Sequence, residues 1–200
     1  MEFAKSLVDK DIPIVSDPTI LYDFNHLKEN NQYEGKYILA YILGKEIDGS
    51  HEKALEKIKR KYGNMPVYFI VIPTMNFNLY DCCADKILYD LGPDEWITMF
   101  RNAAFVYTDS YHGVLFSLKF HKPFLAYYTE KMRASRFIDL GNRYCIEKYM
   151  VESIYDIDMK KSLENVPDYN KIDKILEEHK IYSVEYLREA LKPVENSLGK

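Results

Sequence analysis

The chain has 200 residues, 47% hydrophobic and 29% charged. That suits a globular chain with one buried core, or one domain plus a subdomain, and excludes a disordered one. Its formal net charge of −4 gives no general attraction for nucleic acid, which needs a basic footprint, though local basic patches remain compatible with it. Residues up to Lys10 read as a short helix. Ile12-Pro13-Ile14-Val15 is a short apolar run closed by Asp17-Pro18, and Pro13 favours a sheet edge or a strand start. Tyr37 to Leu43 is continuously apolar and stops at Gly44, as expected of a strand buried on both faces. In the helix that follows, Ala54, Ile58 and Tyr62 recur at helical spacing, with Ser50 as N-cap and Gly63 as C-cap. Val67 to Ile72 reads as the next buried strand. Pro73 to Leu91 carries few periodic signals and reads as irregular. Pro93 opens a helix that runs to about Asn102, with Asp94 and Glu95 in its first turn. Ala104 to Thr108 is a third strand. Asp109-Ser110 starts a helix through about Phe120, and Pro123 to Tyr128 is a fourth strand. Beyond Thr129 the chain is helical and charged. Lys171 to Leu191 reads as amphipathic helix with a break near Lys180 to Ser183.

Strands alternating with helices predict an α/β fold, a Rossmann-like parallel sheet flanked by helices. The expected organisation is a remnant or linker over residues 1–16, the α/β domain over 17–165 and a helical tail over 166–200. In such sheets ligands bind beyond the carboxyl ends of the strands. Asp109-Ser110-Tyr111-His112-Gly113 sits at one of these ends, where a helix N-terminus offers free N–H groups and partial positive charge to an anion, commonly a phosphate. Ser110 is placed to cap the helix and touch that anion. Gly113 allows close approach of a ligand or a neighbouring backbone. His112 is placed as an acid–base group or a cationic ligand. Each also has a plainer reading: a capping Ser, a solvated or packed His, and an Asp109 that caps or ties the sheet end.

Three cysteines, Cys82, Cys83 and Cys145, imply no disulfide framework and suit a reducing compartment. No spacing suggests zinc, and no carboxylate cluster suggests another metal. No apolar run is long enough to span a bilayer, and the first residues lack a signal-peptide core. A cytoplasmic place is expected, with contact to the inner face of the membrane through a partner. The eighteen tyrosines fit half-exposed surfaces, from compositional drift or from stacking on carbohydrate.

An ordered set of motifs resembles one family. Gly92-Pro93-Asp94-Glu95-Trp96, Arg101-Asn102-Ala103 and Thr108-Asp109-Ser110-Tyr111-His112-Gly113 follow in sequence. Asp17-Pro18-Thr19-Ile20-Leu21 and the Tyr37 to Gly44 run precede them, and Arg136 and Ser183-Val184-Glu185-Tyr186-Leu187 follow. Together they resemble the polysaccharide pyruvyl transferases. The resemblance implies the C-terminal half of a two-domain, GT-B-like protein, whose N-terminal domain, with its Gly/Asn-rich phosphate loop, is missing here. It implies transfer of pyruvate as a ketal from phosphoenolpyruvate to a sugar hydroxyl of a cell-surface glycan or its lipid-linked precursor. His112 is then the catalytic candidate, and Ser110, Tyr111, Gly113 and Arg136 are the substrate-binding candidates. Arg133 and Lys131 are weaker cationic candidates, and Asp109 and Glu95 supporting groups behind the site. No cofactor is implied beyond the donor. A sugar-nucleotide glycosyltransferase on the same plan, with Glu130 as the ribose-binding acid, is the enzyme alternative. A non-catalytic binding or assembly module is the other, and self-association of an isolated half is expected.

Overall fold

The computed structural model describes residues 13–27, 36–71 and 83–192, with the side chains of 131–133 excepted. Six strands form one sheet: β1 (Ile38–Tyr41), β2 (Val67–Ile70), β3 (Lys86–Leu88), β4 (Phe105–Thr108), β5 (Phe124–Tyr127) and β6 (Met150–Val151). All pairings are parallel, in the order β3-β2-β1-β4-β5-β6. This is the Rossmann order, and it reverses direction between β1 and β4.

The helices are α1 (Pro18–Leu21), α2 (His51–Tyr62), α3 (Pro93–Asn102), α4 (Tyr111–Lys119), α5 (Lys131–Tyr144), α6 (Ile154–Met159) and α7 (Tyr169–Ala190). The central strands are buried on both faces because alternate side chains enter two separate cores. Leu39, Val106 and Ala126 join a core with residues of α3, α4, α5 and α7. Ile38, Ala40, Tyr107 and Tyr127 join the other, against α2 and α6. Each buried Leu, Ile or Val there contributes about 1.5–3 kcal/mol.

The caps of α2 are as expected: Ser50 Oγ accepts the Lys53 N–H at 3.3 Å, and Gly63 closes the helix at φ +103°. Lys59, Arg60 and Lys61 in its last turn oppose the negative end of the helix dipole.

Four expectations change. β3 lies inside the stretch expected to be irregular; it is a three-residue edge strand with only Leu88 buried, so it has no apolar run to read. β6 is two residues long and equally silent. Pro13 to Ser16 forms no strand, and the Ser16 N–H instead donates to Ser183 Oγ at 2.8 Å. α7 runs unbroken through residues 180–183. No Gly or Pro interrupts it, and Ser183, which looks like a gap in the apolar stripe, is buried as a docking point while its hydroxyl donates to the His179 carbonyl. Ile172, Ile175 and Leu176 of the same helix pack on the sheet core. The helix expected before Lys10 and most of the Pro73 to Leu91 stretch lie outside the described residues.

Candidate functional site

The two strand-to-helix turns flanking the sheet's reversal meet at Thr108 and Asp109. Thr108 Oγ1 donates to the Tyr41 carbonyl at 2.6 Å and accepts the Ser110 N–H at 3.0 Å. Asp109 is buried. Its Oδ1 accepts the Leu43 N–H and its Oδ2 the Gly44 N–H, both at 2.6 Å. The carboxylate therefore ties the end of β4 to the loop after β1. Across that loop, Glu46 Oε1 accepts the His51 N–H at the start of α2, at 2.8 Å. Three amides of the turn that in a Rossmann fold faces a phosphate, those of Leu43, Gly44 and His51, are thus held by the chain's own carboxylates.

The second turn is different. Ser110 occupies the N-cap of α4, but its side chain makes no capping bond. The first N–H groups of the helix have no intrahelical acceptor and carry the positive end of its dipole. His112 projects from this turn with a side chain 58% exposed, and its Nε2 lies 3.8 Å from Asp17 Oδ2. Asp17 serves two neighbours, because Oδ1 also caps α1 by accepting the Thr19 N–H at 2.9 Å. The segment carrying it is held in place from several sides. Lys119 Nζ donates to the Ile20 carbonyl at 2.9 Å, Arg101 donates to the Phe24 and Leu27 carbonyls, and Lys180 pairs with Asp23 at 2.9 Å.

Tyr111 lies edge-on to the His112 ring, with centroids 5.5 Å apart, and packs against the core. Burial, then the charge of Asp17, raises its phenol, while Arg143 and Arg136 act against that rise. Tyr111 packs against the core that holds Phe137, Leu140 and Tyr144 of α5, which brings that helix to the edge of the site. Arg143 pairs with Asp139 at 2.8 Å, whereas Arg136 is exposed and has no ion-pair partner among the described residues. Behind Tyr111, burial pushes Tyr144 up to about 12.

Three expected roles change. A Cβ on Gly113 would meet Thr108 Oγ1 at 2.3 Å, so the close approach this glycine permits is that of Thr108 and not of a ligand. Only its N–H remains available to the site. Ser110 holds the cap position without capping. Glu95 turns back onto its own helix start, where it accepts the Gly92 N–H at 2.8 Å. Glu130 is at the N-cap of α5, and the side chains of Lys131 and Arg133 lie outside the described residues. Asp17, which the sequence marks only as the close of an apolar run and the start of a family motif, stands beside His112. Its Asp-Pro-Thr setting signals a helix cap, and nothing local signals a partner 95 residues along the chain.

The fold is similar to that of a UDP-GlcNAc 2-epimerase of known structure. The UDP-GlcNAc 2-epimerase of Methanocaldococcus jannaschii is 15% identical with a TM-score of 0.56, covering 94% of this chain and 57% of that one. The glycosyltransferase SnogD of Streptomyces nogalater is 9% identical with a TM-score of 0.42, covering 78% of this chain and 42% of that one. The chain thus spans little more than half the length of the first and less than half of the second. No curated protein sequence matches it. The family model for polysaccharide pyruvyl transferases matches residues 1–131, which include Asp17, the filled first turn and the open second turn with His112. The chain belongs to the polysaccharide pyruvyl transferase family.

Proposed function

We propose that the start of α4 binds phosphoenolpyruvate and that the protein transfers its pyruvyl unit, as a ketal, to a pair of sugar hydroxyls on a cell-surface glycan or its lipid-linked precursor. The observation that carries this reading is the contrast between the two turns. In the first turn the Leu43, Gly44 and His51 N–H groups are held by Asp109 and Glu46, while at the start of α4, beyond the Ser110 N–H held by Thr108, no side chain caps the helix.

Phosphoenolpyruvate carries a phosphate and a carboxylate, so it needs several positive groups at once. The N–H groups of Tyr111, His112 and Gly113 and the dipole of α4 take one anionic group. Arg136, exposed on α5, supplies a cation for the other. His112 delivers a proton to the methylene carbon, which makes the neighbouring carbon electrophilic. One sugar oxygen bonds to that carbon, the bond to the phosphate oxygen breaks, and the second sugar oxygen completes the ketal. Of the two hydroxyl protons released, one balances the new methyl group and the other leaves with phosphate. Asp17 Oδ2, 3.8 Å from His112 Nε2, places a negative charge beside the imidazole.

Thermal unfolding in the presence of phosphoenolpyruvate, UDP-GlcNAc or inorganic phosphate tests the reading. Phosphoenolpyruvate is expected to raise Tm more than phosphate does, and UDP-GlcNAc to leave it unchanged. A hundredfold excess over Kd corresponds to about 2.7 kcal/mol of stabilisation. His112→Ala is expected to remove the phosphoenolpyruvate response while changing unliganded stability by less than about 0.5 kcal/mol. A rise with UDP-GlcNAc and none with phosphoenolpyruvate would replace this reading with the glycosyltransferase one.

A further inference from the structure

On the α2–α6 face, far from His112, the C-terminal half of α2 and the turn after α6 border a cleft of about 350 Å³. Lys57, Arg60, Lys61 and Lys161 stand around it, over an apolar floor of Ile157 and Leu163. Asp158 pairs with Lys57 at 2.6 Å and Glu164 with Lys161 at 3.9 Å. Arg60 and Lys61 have no ion-pair partner among the described residues, so the cleft carries net positive charge on a chain of formal net charge −4. The dipole of α2 accounts for cations in its last turn. It does not account for Lys161 converging on them from another element.

Nor does it account for Tyr155 and Met159. They stand four residues apart on α6, 67% and 73% exposed. Their apolar bodies face water while Ile154 and Ile157 of the same helix are buried. Tyr155 and Met159 do not line the cleft, but they belong to α6, which supplies Ile157 and Asp158 to it; cations and exposed aromatic and thioether side chains on one face form the pattern of a surface that rests at a lipid headgroup layer. No described helix is long and apolar enough to cross a membrane.

The geometry points to this face as a docking surface for an anionic bilayer. Arg60, Lys61 and Lys161 meet acidic headgroups, and Tyr155 and Met159 enter the interfacial layer. α2 runs back from the carboxyl edge of the sheet for 12 residues, about 18 Å. Its basic end therefore sits away from the start of α4, and a docked domain keeps the His112 site open to water. The inference does not depend on which anion that site takes.

Co-sedimentation of the full chain with vesicles tests it. Vesicles of phosphatidylcholine with one quarter phosphatidylglycerol are set against phosphatidylcholine alone, at low and high salt. Binding is expected to the anionic vesicles only, and to weaken as salt screens the contact. The Arg60→Gln/Lys61→Gln variant is expected to bind about thirtyfold more weakly. Tyr155→Ser/Met159→Ser is expected to bind more weakly at every salt concentration. Circular dichroism confirms that each variant is folded. Failure to bind anionic vesicles, equal binding to neutral ones, or unchanged binding of the Arg60/Lys61 variant overturns the inference. Capture by soluble dextran sulfate without capture by vesicles overturns it as well.

Discussion

The turn from β1 into α2 and the turn from β4 into α4 leave neighbouring strands at the point where the sheet reverses. In the first, the Leu43, Gly44 and His51 amides are held by Asp109 and Glu46. In the second, the cap side chain makes no bond and His112 stands in solvent. Topology alone gives both turns the makings of an anion site. What separates them is whether the chain's own carboxylates already occupy the donors. A bound phosphate would have to displace a buried carboxylate in the first turn and only water in the second.

The largest expected effect comes from emptying the filled turn. Asp109→Ala removes a buried carboxylate from two short bonds and leaves the Leu43 and Gly44 N–H groups without it. Hydrogen bonds to a charged group contribute about 1.5–3 kcal/mol each, so urea unfolding should show a loss of about 3–5 kcal/mol. A loss below about 1 kcal/mol would mean that water satisfies these amides as well as Asp109 does, and the contrast between the turns would collapse.

A second effect belongs to His51 of the filled turn. Its ring is buried, with Nδ1 2.9 Å from the Tyr107 hydroxyl and no partner for Nε2 among the described residues. Burial holds its pKa down at about 4, against the pull of the Glu46 charge. An unfolded His titrates near about 6.5, so between these values the unfolded chain binds the extra proton. Stability from this group is complete above about pH 6.5 and is lost as pH falls towards 4, by up to about 3 kcal/mol. Carboxylates titrate in the same range, so the readout is a difference between proteins. Between pH 7 and pH 4.5 the wild type should lose more stability in urea than His51→Gln does. Equal losses would show that the first turn is open to water after all.

Much of this contrast was legible in local sequence, but only one half of it. An apolar run ending in Asp-Ser before a helical pattern marks the open turn, because strand burial and helix start are both short-range signals. The caps Ser50 and Gly63 were legible for the same reason. The filling of the other turn was not, because the donors that Asp109 accepts from lie 65 and 66 residues away in the chain. The Asp17–His112 contact is equally remote. β3 and β6 escaped because edge strands of three and two residues need no apolar run. Gly113 signals room for a ligand or a neighbouring backbone, since a sequence shows that a side chain is missing but not that the Thr108 side chain fills its place.

The smallest effect sharpens the contrast most, because its sign differs between the turns. Ser50 caps α2 at φ +100°, a backbone region that suits glycine, next to Gly49 at φ +97°. Such strain costs on the order of 1–3 kcal/mol. Glycine at an N-cap gives up only a few tenths relative to Ser, plus about 0.5–1 kcal/mol of unfolded-chain entropy. Ser50→Gly should therefore leave stability unchanged or raise it by less than about 1 kcal/mol. Ser110 caps α4 at φ −99°, without strain and without a capping bond. There glycine relieves nothing, and Ser110→Gly should cost about 0.5–1 kcal/mol in entropy alone. Urea midpoints of the two variants compare the caps directly. Opposite signs fit a first turn held strained by its internal bonds and a second that lies relaxed around an open end. A clear loss at Ser50 would instead mean that the capping bond outweighs the strain, and that the two turns differ in occupancy but not in conformational stress.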